Sequence, residues 1–155
     1  MSGFASTYEC KVDAKGRVLF PARLQEELDE VMSGGFIIKR SIFNQCIELW
    51  PKSYWDKELE KINRLNRYLE KNIRFIRKFL AGVKHVELDK NGRLLIPRHL
   101  IEFAGIGKNI VIASMIDKIE IWDKEKYELD QVMDDDFKML AEDVMGSLGN
   151  TQTTE

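Results

Sequence analysis

Two stretches of this chain are versions of one another. Asp13-Ala-Lys-Gly-Arg-Val-Leu-Phe-Pro21 returns, 76 positions on, as Asp89-Lys-Asn-Gly-Arg-Leu-Leu-Ile-Pro97. Aspartate, glycine, arginine, leucine and proline agree, with apolar residues between. Ile47-Glu-Leu-Trp50 likewise returns as Ile119-Glu-Ile-Trp122, now 72 positions on. The chain is therefore one unit written twice, and repetition constrains the architecture more than any local propensity. Units of roughly 45–50 residues bury too little surface alone, so the two are expected to share a core.

The repeated stretch has the residue order of a type I turn, Asp first and Gly fourth. An Asp carboxylate there can accept a hydrogen bond from the backbone N–H two residues on. Gly16 and Gly92 can take the positive φ that closes a hairpin as a bulge. Asp13, Gly16, Asp89 and Gly92 are thus read as turn-structuring residues. Arg17 and Arg93 then open the next strand, and each turn also carries a lysine, Lys15 or Lys90. Two readings stay open on the pattern alone. The turns are stable hairpins with solvated charges, or they are two grips on a polyanion, since basic groups at fixed separation suit phosphates.

A net charge of −2 argues against a polyanion ligand until its distribution is read. Residues 1–122 carry 21 Lys and Arg against 16 Asp and Glu, whereas residues 123–155 carry 3 against 10. A mildly basic body is followed by an acidic segment, and such segments are commonly solvated or interacting tails. No apolar run approaches the roughly 20 residues that span a bilayer. No basic-then-apolar leader pattern is evident at the N-terminus. Cys10 and Cys46 form neither a disulfide framework nor a metal set, which fits a reducing cytoplasm.

Taken in order, Tyr8, Cys10 and Val12 alternate with charged residues, a half-buried strand entering the turn. Val18-Leu19-Phe20 leaves it. Pro21 fits the first position of a helix, whose apolar face is Leu24, Leu28 and Val31 and whose end is Gly34-Gly35. Phe36-Ile37-Ile38 and Ile47–Trp50 complete a β-β-α-β-β unit over residues 7–54. Residues 83–126 repeat it, with a shorter helix capped by Gly105. The intervening spacer, assigned to 55–82, has helical periodicity interrupted at Asn66, so it is one long helix or two. Its other face carries Arg64, Arg67, Lys71, Arg74, Arg77 and Lys78, either a solvated face or an auxiliary surface for a polyanion or a subunit. Residues 127–145 read as an acidic helix that could pack on that basic face, and 146–155 as a disordered tail.

Catalytic constellations are absent from the sequence. His85 and His99 are the only histidines, with no HExxH and no CxxC. Gly107-Lys108 resembles the end of a P-loop, but Glu102 replaces the first Gly and Asn109 the final Ser or Thr. Asp13 and Asp89 are better explained by their turns than as an acid–base pair. No cofactor, metal, membrane or small-molecule substrate is expected, and the chain is read as a non-enzyme. Arg23 is a further basic residue near the first turn, matched in the second unit by His99.

The repeated Asp-x-x-x-Arg turn, the apolar-Pro step after it, the Trp-ending strands and the helical spacer together resemble the MraZ family. These are bacterial transcriptional regulators built from two SpoVT-AbrB-type repeats. The resemblance covers roughly residues 1–127. Phe79-Leu-Ala-Gly82 and Ala104-Gly105 also look like family positions. Ser114 departs from the pattern where a Gly is expected, and the second turn has Lys90-Asn91 where the first has Ala14-Lys15.

The resemblance implies an α+β, mainly β fold, a swapped-hairpin barrel of the double-psi type in which the two repeats form a pseudo-dimer. It implies a homo-oligomer, a ring in the family. The implied partner is double-stranded DNA, at short direct repeats in the promoter of the division and cell-wall gene cluster to which the protein's own gene belongs. It implies a cytoplasmic protein associated with the nucleoid. Arg17 and Arg93 stand at the motif arginines. Lys15 and Arg17 are expected to be the stronger grip, Lys90 and Arg93 the assisting one, with Arg23 beside them. Two alternatives remain: an AbrB-like scaffold for protein partnering, as in an antitoxin, and a general nucleoid-binding protein.

Overall fold

The two units exchange strands. A computed structural model describes residues 4–132 and 136–148. Its strands are β1 (Thr7–Lys11), β2 (Arg17–Leu19), β3 (Phe36–Arg40), β4 (Ile47–Pro51), β5 (Lys84–Val86), β6 (Arg93–Leu95), β7 (Asn109–Ser114) and β8 (Ile119–Asp123). Its helices are α1 (Ala22–Leu28), α2 (Lys52–Asn63), α3 (Glu70–Phe79), α4 (Arg98–Ala104), α5 (Lys124–Val132) and α6 (Phe137–Leu148). One antiparallel sheet runs β1-β7-β8-β4-β3-β5, and a separate two-stranded ribbon joins β2 to β6. Replacing each strand by its counterpart in the other repeat returns the same order reversed. The fold is α+β, mainly β, with an internal two-fold.

The turns close as expected, Asp13 N–H on the Arg17 carbonyl and Asp89 N–H on the Arg93 carbonyl, but the strands beside them pair with the other unit rather than with each other. β1 pairs with β7 of the other unit, Tyr8 opposite Ile112, and β5 pairs with β3, Ile37 opposite His85. Between β1 and β2 only the Val12–Val18 bridge and the bond from Asp13 N–H to the Arg17 carbonyl remain. The reason is burial. A lone two-stranded hairpin is marginal in water. Exchange lets each short strand join a larger sheet or a ribbon that covers the common core.

That core lies between the sheet and the ribbon. Val18 and Leu94 of the ribbon, Ile38, Ile47 and Leu49 of one repeat, and Ile112 and Ile121 of the other are fully buried together. Alternation along β4 sends Ile47 and Leu49 inward, while Trp50 joins Ile37, Trp55 and Phe79 under the spacer helices. Trp55 stacks on Phe79 with ring centroids 5.8 Å apart, and Trp50 meets Trp55 edge-on at 5.8 Å.

Two charges are buried in this second layer, Lys39 and Glu48. Lys39 Nζ lies 3.7 Å from Glu48 Oε1, donates to the Arg40 carbonyl at 2.7 Å and sits 4.3 Å from the Phe79 ring centre. Trp50 Nε1 and Lys118 Nζ also donate to Glu48, at 3.1 and 3.2 Å. Burial lowers the Lys39 pKa, Glu48 works against that shift, and Lys118 and Arg40 add to it.

Several boundaries differ from the sequence reading. Pro21 and Pro97 each stand as the N-cap rather than the first helical residue. α1 ends at Leu28, well before Gly34-Gly35, because the chain turns there with Val31 N–H bonded to the Leu28 carbonyl. Gly35 serves a close approach instead, since a Cβ there would lie 2.9 Å from the Val86 carbonyl oxygen. α4 is as long as α1, seven residues, and ends on left-handed Gly105.

The spacer is two helices. Asn66 breaks it by accepting the Tyr68 N–H through its side chain, while its own carbonyl accepts from Asn72 Nδ2. Ser114 is buried in β7 with its N–H bonded to the Ser6 carbonyl, and the left-handed residue of the following turn is Ile116. The chain divides after Lys124 into two compact units. In the second, α6 continues through Leu148, three residues into the stretch read as a tail. Residues 149–155 lie outside the described residues. Among those described, no helix is long and apolar enough to cross a membrane.

Candidate nucleic-acid interface

Each repeated turn is built around its aspartate. Asp13 Oδ1 accepts the backbone N–H of Lys15 and of Arg17, both at 2.9 Å. Its Oδ2 accepts Arg17 Nε at 2.8 Å. The second turn repeats this: Asp89 Oδ1 accepts the N–H of Asn91 at 2.8 Å and of Arg93 at 3.0 Å, and Oδ2 accepts Arg93 Nε at 3.1 Å. Gly16 and Gly92 close the turns at φ 86° and 79°, each N–H returning to the Asp carbonyl. A Cβ on Gly16 would lie 3.2 Å from Ile101 of α4, and one on Gly92 2.5 Å from Gln25 of α1. Each turn is thus packed by the helix of the other unit, at equivalent positions.

The electrostatics follow from the hydrogen bonds. The Arg17 backbone N–H, then the Arg17 guanidinium and the Lys15 N–H, hold Asp13 below the usual carboxylate range. The N–H groups of Arg93 and Asn91 and the Arg93 charge do the same for Asp89. Both aspartates are therefore ionised and fully engaged. Each arginine spends its Nε on the turn, and among the described residues its terminal nitrogens have no hydrogen-bond partner. That leaves the guanidinium fork able to dock bidentately on phosphate or base acceptors.

The ribbon brings the two arginines together. Arg17 is opposite Leu95, Val18 opposite Leu94, and Leu19 opposite Arg93. With side chains alternating across a strand, Arg17, Leu19, Arg93 and Leu95 share the outer face. Val18 and Leu94 fill the inner one. Diagonal neighbours in such a pair are about 7–8 Å apart. Lys15 and Lys90 are exposed at the two turns. Arg23 stands apart on the exposed side of α1, where its charge acts on Tyr8 of β1.

A family model described as "MraZ protein, putative antitoxin-like" matches residues 4–75 and 79–140. The chain belongs to the MraZ family. It is 53% identical over 150 residues to a protein of Christiangramia forsetii, covering 95% of this chain and 96% of that one. It is 48% identical over 155 residues to one of Flavobacterium psychrophilum, covering 98% of each. A relative from Acetivibrio thermocellus is 38% identical over 126 residues, 81% of this chain and 84% of its own. All three are named "Transcriptional regulator MraZ".

Each match to the MraZ model runs past the fourth strand of its repeat into helix. α2 follows β4 directly, and α5 follows β8 in the same way.

The structure also gathers residues to which the sequence reading gives no role at the site. Leu19 and Leu95 share the outer face with the arginines, directly opposite Arg93 and Arg17, an exposure that the apolar runs around them conceal in the sequence. Lys108 and Arg98 join Lys15 around a groove of roughly 800 Å³ beside the first turn. Lys108 is held there by the bond from Val12 N–H to its carbonyl. Nothing in its local sequence indicates that placement.

Proposed function

We propose that this chain is a transcriptional regulator that binds double-stranded DNA in a sequence-specific way. Its targets are direct repeats upstream of its own gene, in the promoter of the division and cell-wall cluster. The observation that carries this reading is the pair of Asp-anchored arginines on one face of the β2–β6 ribbon. The shared name of the relatives supports regulation of transcription. The chain is read as a non-enzyme acting in the cytoplasm, at the nucleoid.

Arg17 and Arg93 are the principal contacts, Lys15 and Lys90 bind flanking phosphates, and Arg23 assists from α1. Asp13 and Asp89 position the arginines without touching DNA. One ribbon offers few contacts, so a homo-oligomeric ring supplies the rest: linked copies on spaced repeats gain affinity through effective concentration. Each neutralised phosphate steepens the salt dependence.

The test is a gel shift with DNA from upstream of the protein's own gene, beside random DNA of equal length, at two salt concentrations. Tighter, salt-sensitive binding to the upstream DNA is expected. Equal binding to both would make it a general nucleoid protein.

A second reading, a scaffold for a protein partner, is favoured by one feature. Phe137, Leu140, Val144 and Leu148 of α6 fall at helical spacing and are all exposed. Co-purification of a stoichiometric protein, with no affinity for either DNA, would replace the first reading with this one.

A further inference from the structure

The ribbon's outer face carries two leucines as well as two arginines. Leu19 and Leu95 are 59% and 58% exposed, while Val18 and Leu94 beside them are fully buried. Register places Leu95 opposite Arg17 and Leu19 opposite Arg93. The two leucines occupy equivalent positions in the repeats, so the same apolar group is offered on both sides of the internal two-fold. Their neighbours Gly16 and Gly92 are pinned by packing from α4 and α1, which fixes the strand they begin.

We propose that Leu19 and Leu95 are specificity-determining residues that contact thymine C5-methyl groups in the major groove. The inference rests on the DNA reading above and names which bases that site reads. The major groove admits a two-stranded β-ribbon. There alone a base presents an apolar group, the thymine methyl, beside the guanine O6 and N7 acceptors that suit arginine. Diagonal positions in such a strand pair, as Arg17 and Arg93 are, lie about 7–8 Å apart at the backbone, about two base-pair steps at 3.4 Å per step. The arginines take one diagonal of the four-residue face and the leucines the other, so the face matches guanines at two opposite corners and thymines at the other two. A protein partner fits less well, because the two leucines form a small patch with a guanidinium at each end and a lysine-bearing turn beyond each.

The experiment removes the methyl groups alone. DNA from upstream of the protein's own gene is amplified with dTTP, or with dUTP in its place, so that base pairing is kept. Binding of the full chain and of the Leu19→Ala/Leu95→Ala variant is measured by fluorescence anisotropy at one salt concentration. Both leucines point away from the core, and an unchanged circular dichroism melt verifies that the variant folds.

The wild type is expected to bind uracil DNA about tenfold more weakly, the scale of losing one or two buried methyl contacts. The variant is expected to bind thymine DNA more weakly and to be indifferent to the exchange. Wild-type binding that is equal on both DNAs overturns the inference and leaves the regulator reading standing. So does a variant that keeps the full uracil penalty. A variant with wild-type DNA binding but lost self-association in sedimentation assigns the leucines to a contact between copies and also overturns it. Binding by the wild type to neither DNA overturns the regulator reading and this inference together.

Discussion

Glu48 and Glu120 lie directly opposite one another across β4 and β8, at the centre of the six-stranded sheet. They are the same position in the two repeats, so the internal two-fold passes between them. Like charges facing across a strand pair are unfavourable. The surroundings break symmetry to accommodate them. Lys39 and Lys118 both serve Glu48, where the second repeat and the first, respectively, have Ala113 and Cys46. The turns, by contrast, are symmetric almost bond for bond.

Removing Glu48 should therefore be costly. Glu48→Ala leaves Lys39 buried beside Phe79 without its counter-charge, a change that costs about 3–5 kcal/mol when a buried pair is broken. Lys39→Met should cost less, because Glu48 keeps Trp50 and Lys118 as donors. Urea denaturation of both variants measures this, and a Glu48→Ala variant as stable as the wild type would contradict it.

Phe79 is the contact that fastens α3 to the sheet. It stacks on Trp55 and Phe75 and lies under Lys39. Phe79→Ala should destabilise the fold by about 3–5 kcal/mol, with a change in tryptophan emission, since Trp55 loses its stacking partner. An unchanged emission spectrum would show that the stack does not hold in solution.

Asp13 and Asp89 act through the arginines. Asp13→Asn and Asp89→Asn weaken charge-assisted bonds to Arg17 and Arg93 while adding net positive charge. Affinity for random DNA should not fall. Preference for the upstream DNA should drop about tenfold, the scale of one such bond. Equal losses on both DNAs would instead make the aspartates part of the contact surface.

The same bonds set the acid behaviour of the turns. A carboxylate whose folded pKa is depressed adds stability above its unfolded pKa and loses it as pH falls through the folded value. Asp13 and Asp89 should titrate below about 3.9, the ordinary value for Asp, in carbon-detected NMR of the carboxyl groups. The turns should hold unchanged from about pH 8 down to pH 5 and loosen only at lower pH. Arg17→Ala should raise the Asp13 midpoint only part of the way, since the Arg17 backbone N–H remains. A midpoint at or above the ordinary value would rule out the anchored geometry.

The turns were legible because their chemistry is local: Asp, Gly and Arg within five residues dictate the bonds found. At Asn66 the apolar spacing showed an interruption but left one helix or two open, because the side-chain bonds that break the helix there do not show in periodicity. Strand exchange was not legible, because pairing Tyr8 with Ile112 depends on burial over the whole chain, and only the family resemblance pointed to it. Leu19 was hidden inside Val18-Leu19-Phe20, an apolar run that reads as buried throughout. The buried Lys39–Glu48 pair was masked likewise, since Glu48 looks like the exposed residue of an alternating strand. Its facing helices, which bury it, are set by Trp55 and Phe79 far along the chain.

The central claim is that Arg17 and Arg93, held on one ribbon face, grip the DNA. Its most direct test is the affinity of an Arg17→Ala/Arg93→Ala variant for the upstream DNA across a salt series, with folding verified by circular dichroism. The account predicts a folded protein whose preference for upstream over random DNA is lost, each base contact being worth roughly tenfold or more. A folded double variant that binds the upstream DNA as tightly and as selectively as the wild type would contradict it.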